Sequence, residues 1–176
     1  QIEQYKNQID PHHVMLMYYK VACLYFGADE HEKAIVYLQR IIENKDLKMR
    51  EDLLCFARVL SLFAHYEAGY DYDLDKHIRE TYKFLLKMDD LHEVQKSMIA
   101  FIRRLGDIYP HELKEHFKAL HKELKEYEDD PYERRAFLYL DILSWLESRI
   151  QNRPIEQIIQ AKAKTHRQHR PSMEPM

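Results

Sequence analysis

Chain breaks are scarce in this sequence, and that scarcity limits what it can fold into. Three Gly and six Pro serve 176 residues. A sheet of short strands or a loop-rich fold needs more turn formers than that. Between these breaks apolar residues recur at helical spacing, and no convincing alternating run marks a strand. Apolar residues make up 45% of the chain, so a packed core is within reach and disorder is not expected. Charged residues make up 32%, drawn largely from good helix formers. Thirteen Tyr suit half-buried helix faces, with the ring inside and the hydroxyl at the rim.

The helix boundaries read off the breaks. Asp10-Pro11 is an N-cap followed by Pro at the first helical position, and that helix stops near Gly27. Asp29 with Glu32 reads as a capping box for a second helix carrying Ala34, Ile35, Leu38, Ile41 and Ile42. A third runs from about Leu47 to Ala68, with Gly69 as its stop. Its centre, LLCFARVLSLFAHY, is apolar nearly all round and calls for cover on more than one side. A fourth carries Leu74, Ile78, Tyr82, Leu85 and Leu86. Asp90 with Glu93 opens a fifth, Pro110 a sixth, Asp130-Pro131 with Glu133 a seventh, and Pro154 a short eighth. The expected fold is therefore all-α, with seven to eight helices in antiparallel hairpins over residues 1–160. A basic, unstructured tail is expected over 161–176. The start at Gln1 rather than Met reads as part of a longer chain.

The first hairpin resembles a tetratricopeptide repeat, a helix–turn–helix unit of about 34 residues. Tyr18 stands at the family's large aromatic position, Val21 and Ala22 at its Leu-Gly pair, and Tyr25 at its Tyr. Ala34 stands at the small inter-helix site and Leu38 at the large residue after it. Ile41 is bulky where the family has Ala, and Asp46 replaces the closing Pro. The match covers Met15 to Asp46 and fades beyond, where His77 falls near the next inter-helix Ala. The resemblance implies an α-solenoid with a concave partner-binding face. On that face it would place Leu16, Tyr19, Cys23 and Phe26 of the first helix, with Arg50 and Leu53 of the next hairpin. Such a surface is apolar and aromatic and suits a helix or peptide. The competing reading is that a neighbouring helix or a second subunit covers these residues. Tyr19 and Cys23 replace the Lys and Asn of a carboxylate clamp, so that mode is not implied.

Candidate chemistry is sparse. HELKEH (His111 to His116) spaces its two His five apart, about 140° around a helix, where a zinc-binding HExxH helix needs four. Cys23 and Cys55 lack a CxxC partner and read as reduced core thiols rather than metal ligands or nucleophiles. Three Gly leave no material for a phosphate loop. Asp141 interrupts an apolar stretch and reads as outward-facing or as the partner of an Arg such as Arg58, Arg103 or Arg104, ahead of the functional reading as a carboxylate facing a groove. The expectation is a non-catalytic protein-interaction module without cofactor or metal, cytoplasmic, in which oligomers are allowed. No apolar run reaches the roughly 20 residues of a membrane span. A net charge of −3 gives no global attraction to nucleic acid. The alternative is a regulatory or nucleic-acid-associated protein using Lys162, Lys164, Arg167 and Arg170 of the tail.

Overall fold

The start signals at Asp10-Pro11 and Pro154 lead into helices, while those at Asp90 and Pro110 lie outside the described residues. The computed structural model describes residues 10–44, 51–87, 92–105, 107–109 and 111–168. Their regular structure is helical: α1 (Pro11–Gly27), α2 (His31–Ile42), α3 (Glu51–Glu67), α4 (Asp71–Leu85), α5 (Glu93–Leu105), α6 (Leu113–Lys125), α7 (Arg134–Tyr139), α8 (Ile142–Gln151) and α9 (Ile155–Gln168). Neighbours in sequence pack on one another from α1 through α6; α6 then packs on α8, and α8 on α9. The architecture is all-α with sequential helix–helix packing. Among the described residues no helix is long and apolar enough to cross a membrane.

The first hairpin closes around two small residues. Ala22 and Ala34 are fully buried, which lets α1 and α2 approach closely. Tyr25 stacks on Tyr37 at 5.7 Å between ring centroids, and Tyr18 meets the same ring at 5.9 Å. Asp10 caps α1 by accepting the His12 N–H at 2.8 Å. Gly69 ends the turn after α3 at φ 73°, a left-handed conformation that an L side chain adopts only at a cost.

Three local expectations are corrected. Asp29 does not cap α2: it takes the left-handed conformation at φ 57°, and the N-cap position falls to Glu30, which makes no side-chain cap bond. Helix seven is two helices. Leu140 is extended at φ −142° and ψ 120°, and Asp141 restarts the chain as N-cap of α8 by accepting the Ser144 N–H at 3.0 Å. Asp141 thus faces outward, one of the two structural readings expected of it, and caps α8 rather than pairing with Arg58, Arg103 or Arg104. Finally, α9 runs to Gln168, well into the stretch expected as a tail. Alternating Ala and Lys there are good helix formers. Lys162 also turns inward, with its Nζ 2.9 Å from Ser144 Oγ and 3.0 Å from Glu147 Oε1.

Several long-range contacts hold the C-terminal helices on the rest, two of them centred on Trp145 and Glu133. The first is Trp145 of α8, 1% exposed, whose ring meets Phe63 of α3 at 4.9 Å, Phe117 of α6 at 5.5 Å and Phe26 of α1 at 6.1 Å. The second is Glu133, buried just before α7. Its carboxylate accepts the Glu93 N–H at 2.9 Å and the Val94 N–H at 3.1 Å, satisfying the free donors at the start of α5. Asp130 accepts the N–H groups of Tyr132 and Glu133 as a cap should, but Glu133 reaches across the fold instead of closing the box. Glu133→Ala is expected to cost about 1–2 kcal/mol, the usual range for a lost cap that leaves buried donors unpaired. Urea unfolding measures the loss. Amide exchange should quicken at Glu93 and Val94, and unchanged exchange there would contradict the capping role.

Candidate functional site

On α1 the positions 20, 23, 24 and 27 fall on one face, at i, i+3, i+4 and i+7. Lys20, Cys23, Leu24 and Gly27 form one wall of a groove of about 430 Å³. Leu140, Trp145, Ile155 and Ile159 from the α7–α9 region form the other, and Asp141 sits on its edge. The lining is apolar apart from Lys20 and Asp141. Leu24 is 74% exposed and Ile159 45% exposed, so apolar surface extends out of the groove onto both rims. Volume and character fit an apolar binding cleft with a few polar groups.

A second, polar pocket lies at the turn between α1 and α2. It is lined by Asp29, Glu30, His31, Glu32, Lys33 and Glu67 and holds about 360 Å³. Arg149 of α8 ties it together, with Nε 2.9 Å from Glu67 Oε1 and one terminal nitrogen 2.9 Å from Asp29 Oδ1. His31 Nε2 lies 3.5 Å from the same Asp29 oxygen. Burial pushes the Glu67 carboxyl above the usual carboxylate range, against the pull of Arg149. Burial also holds the His31 imidazole below its ordinary value, against the nearby Asp29 charge. The Arg149 fork matches two carboxylates and links segments 82 and 120 residues apart in sequence. What it does chemically is fasten the turn of the first hairpin and the end of α3 to α8.

The residues singled out in the sequence divide between wall, core and neither. Cys23 is half-buried and lines the apolar groove. Phe26 touches the groove but is 2% exposed, and Tyr19 and Leu53 are 1% and 3% exposed. The expected open concave wall of Tyr19, Phe26 and Leu53 is corrected: all three belong to the continuous core. Side chains of the α7–α8 region, among them Leu140, Ile142 and Trp145, lie over Tyr19 and Phe26. Leu16 is half-buried against that core, and Arg50 lies outside the described residues. The two thiols are not joined in a disulfide, and burial pushes each up to about 12, which leaves them poor nucleophiles. Of the histidines in and before α6, His121 reaches Glu147 at 3.1 Å while His111 is exposed in the turn before the helix, and among the described residues no group of three metal-ligating side chains gathers.

Sequence reasoning missed the opposite wall and the outer rim. Leu24 sits on a helix that is apolar nearly all round, so its exposure has no local signature. The Arg149 clamp has none either, because its partners lie far away in the chain. No protein-family model, curated protein or solved structure matches this chain.

Proposed function

We propose that this chain is a non-catalytic protein-interaction module, a tetratricopeptide-like stack of helical hairpins that receives the apolar side of a partner helix or peptide. The docking site is the groove between α1 and the α8–α9 end. One observation carries this reading: Leu24 and Ile159 expose apolar surface on the two rims of a groove whose floor is also apolar. Helix-in-groove recognition uses apolar anchors of this kind. The resemblance of the first hairpin to the repeat family supports the architecture, as does the close contact at Ala22 and Ala34.

Tyr19 and Phe26 are unsuitable for testing it, because truncating core residues reports unfolding. Leu24→Glu with Ile159→Glu is the appropriate variant. Both positions are exposed, so stability should change by no more than about 0.5 kcal/mol. Immobilised wild-type and variant proteins are compared for the partners they retain from the cell of origin. The expected result is loss of the specific partner from a variant that unfolds at the same urea concentration as the wild type. If the same partners remain at the same affinity, the groove is not the docking site.

A further inference from the structure

We propose that the outer face of α4, together with the end of α5, is a second docking surface and takes an acidic, amphipathic segment of a partner protein. Positions 79, 82, 83 and 86 of α4 and the turn after it recur at i, i+3, i+4 and i+7, on one side of the helix. They are Arg79, Tyr82, Lys83 and Leu86, and all four are exposed. Tyr82 is 41% exposed and Leu86, one turn on, 68%. Arg103 of α5 extends this face, its guanidinium 5.1 Å above the Tyr82 ring.

Charge identifies the occupant. Elsewhere Lys33, Lys96, Lys118, Lys125, Lys162 and Arg149 each meet a carboxylate of this chain. Arg79, Lys83 and Arg103 meet none among the described residues. Among the described side chains of α4, α5 and the turn after α4, the exposed carboxylates are Asp75, Glu80 and Glu93, the last paired with Lys96, against exposed Lys76, Arg79, Lys83, Lys87, Arg103 and Arg104. On the opposite flank of α4, Arg58 of α3 is half-buried against the Phe84 ring at 4.5 Å, and its Nε has no hydrogen-bond partner. Arg79, Lys83 and Arg103 therefore set around the exposed Tyr82 ring three cations without an ion-pair partner among the described residues, in a protein of net charge −3. Unpaired guanidinium groups over aromatic rings favour carboxylates, which they bind in bidentate fashion. Leu86 and the Tyr82 ring favour an apolar side chain on the same segment, which a phosphate backbone does not supply. Acidic residues alternating with Leu on a helix satisfy both.

The test uses a fluorescein-labelled synthetic helical peptide with Glu on one face and Leu on the other. Its Lys-for-Glu counterpart and a single-stranded oligonucleotide serve as the other arms. The Glu peptide should bind, weaken as salt screens the contacts, and lose about tenfold or more in affinity to the triple charge reversal Arg79→Glu, Lys83→Glu, Arg103→Glu. Leu86→Ala should weaken it by about threefold, and Leu24→Glu should leave it unchanged, which separates this surface from the α1 groove. All these positions are exposed, and far-UV circular dichroism confirms the fold of each variant. The proposal is overturned by equal binding of the Lys peptide, by an unaffected triple variant, or by tighter binding of the oligonucleotide to the same residues. The last result would make the face a phosphate reader.

Discussion

Trp145→Ala is expected to destabilise the fold by about 3–5 kcal/mol, the cost of emptying a large aromatic site in a packed core. Domains of this size are stable by only about 5–15 kcal/mol in total, so the variant should sit near its unfolding threshold. The size of the effect follows from position. Trp145 is 1% exposed and touches Phe63 edge-on at 4.9 Å, Phe117 edge-on at 5.5 Å and Phe26 at 6.1 Å. Three helices distant in sequence share this one ring, so no single neighbour can relax into the space it leaves. It is the chain's single Trp, so unfolding of the variant is followed by far-UV circular dichroism rather than Trp fluorescence. Trp145→Phe keeps an aromatic ring and should recover more than half of the loss. A cost below about 1 kcal/mol would mean that α8 packs loosely and that α1 to α6 are stable without it.

The same ring shows what the sequence reveals and what it hides. Helix type and several helix ends follow from short-range rules, although the break at Leu140 that makes helix seven two helices does not. Asp10-Pro11 caps and starts α1, and Gly69 closes the turn after α3. The apolar circumference of α3 is matched by burial at all positions from Leu53 to His65 except Leu54 and Arg58, which are partly buried. Such signals act within one or two turns of helix and need no knowledge of the partner. Tertiary placement does not work that way. Glu133 has the right spacing from Asp130 for a capping box, yet its carboxylate caps α5, about 40 residues earlier. Asp29 has the right spacing from Glu32, yet it turns to Arg149. In both cases a carboxylate had a weak local partner and a better distant one, and the distant one prevailed. The groove suffers the same limit. Cys23 and Phe26 were legible as part of an inner face of α1, but not that α8 would cover Phe26 while leaving Leu24 bare.

The second large effect is expected at Arg149, and its pH dependence is the informative part. Arg149→Met should cost about 2–3 kcal/mol at neutral pH. This is below the range for a fully buried pair because Asp29 is half exposed. Glu67 is 13% exposed and would lose the cation that offsets its burial. Its folded-state value already stands above the ordinary carboxylate range. The folded state therefore holds the Glu67 proton more tightly than the unfolded chain does. The stability this gives is complete below the unfolded value of 4.5 and is lost as pH rises through the folded one. Removing Arg149 raises the folded value further and deepens that loss. The deficit of Arg149→Met should consequently shrink when unfolding is measured near pH 4 rather than near pH 7. Adding Glu67→Gln should remove most of this pH dependence, since no charge then remains to be buried. His31 acts in the opposite direction, because its folded value lies below the ordinary 6.5 and its contribution is lost as pH falls. Arg149 also disfavours the His31 charge, so its removal lets that group protonate more readily and adds to the recovery in acid. Urea midpoints for wild type, Arg149→Met and the double variant at the two pH values test this. An Arg149→Met deficit that stays equal at both would show that the side chain acts through packing and not through the carboxylates it holds.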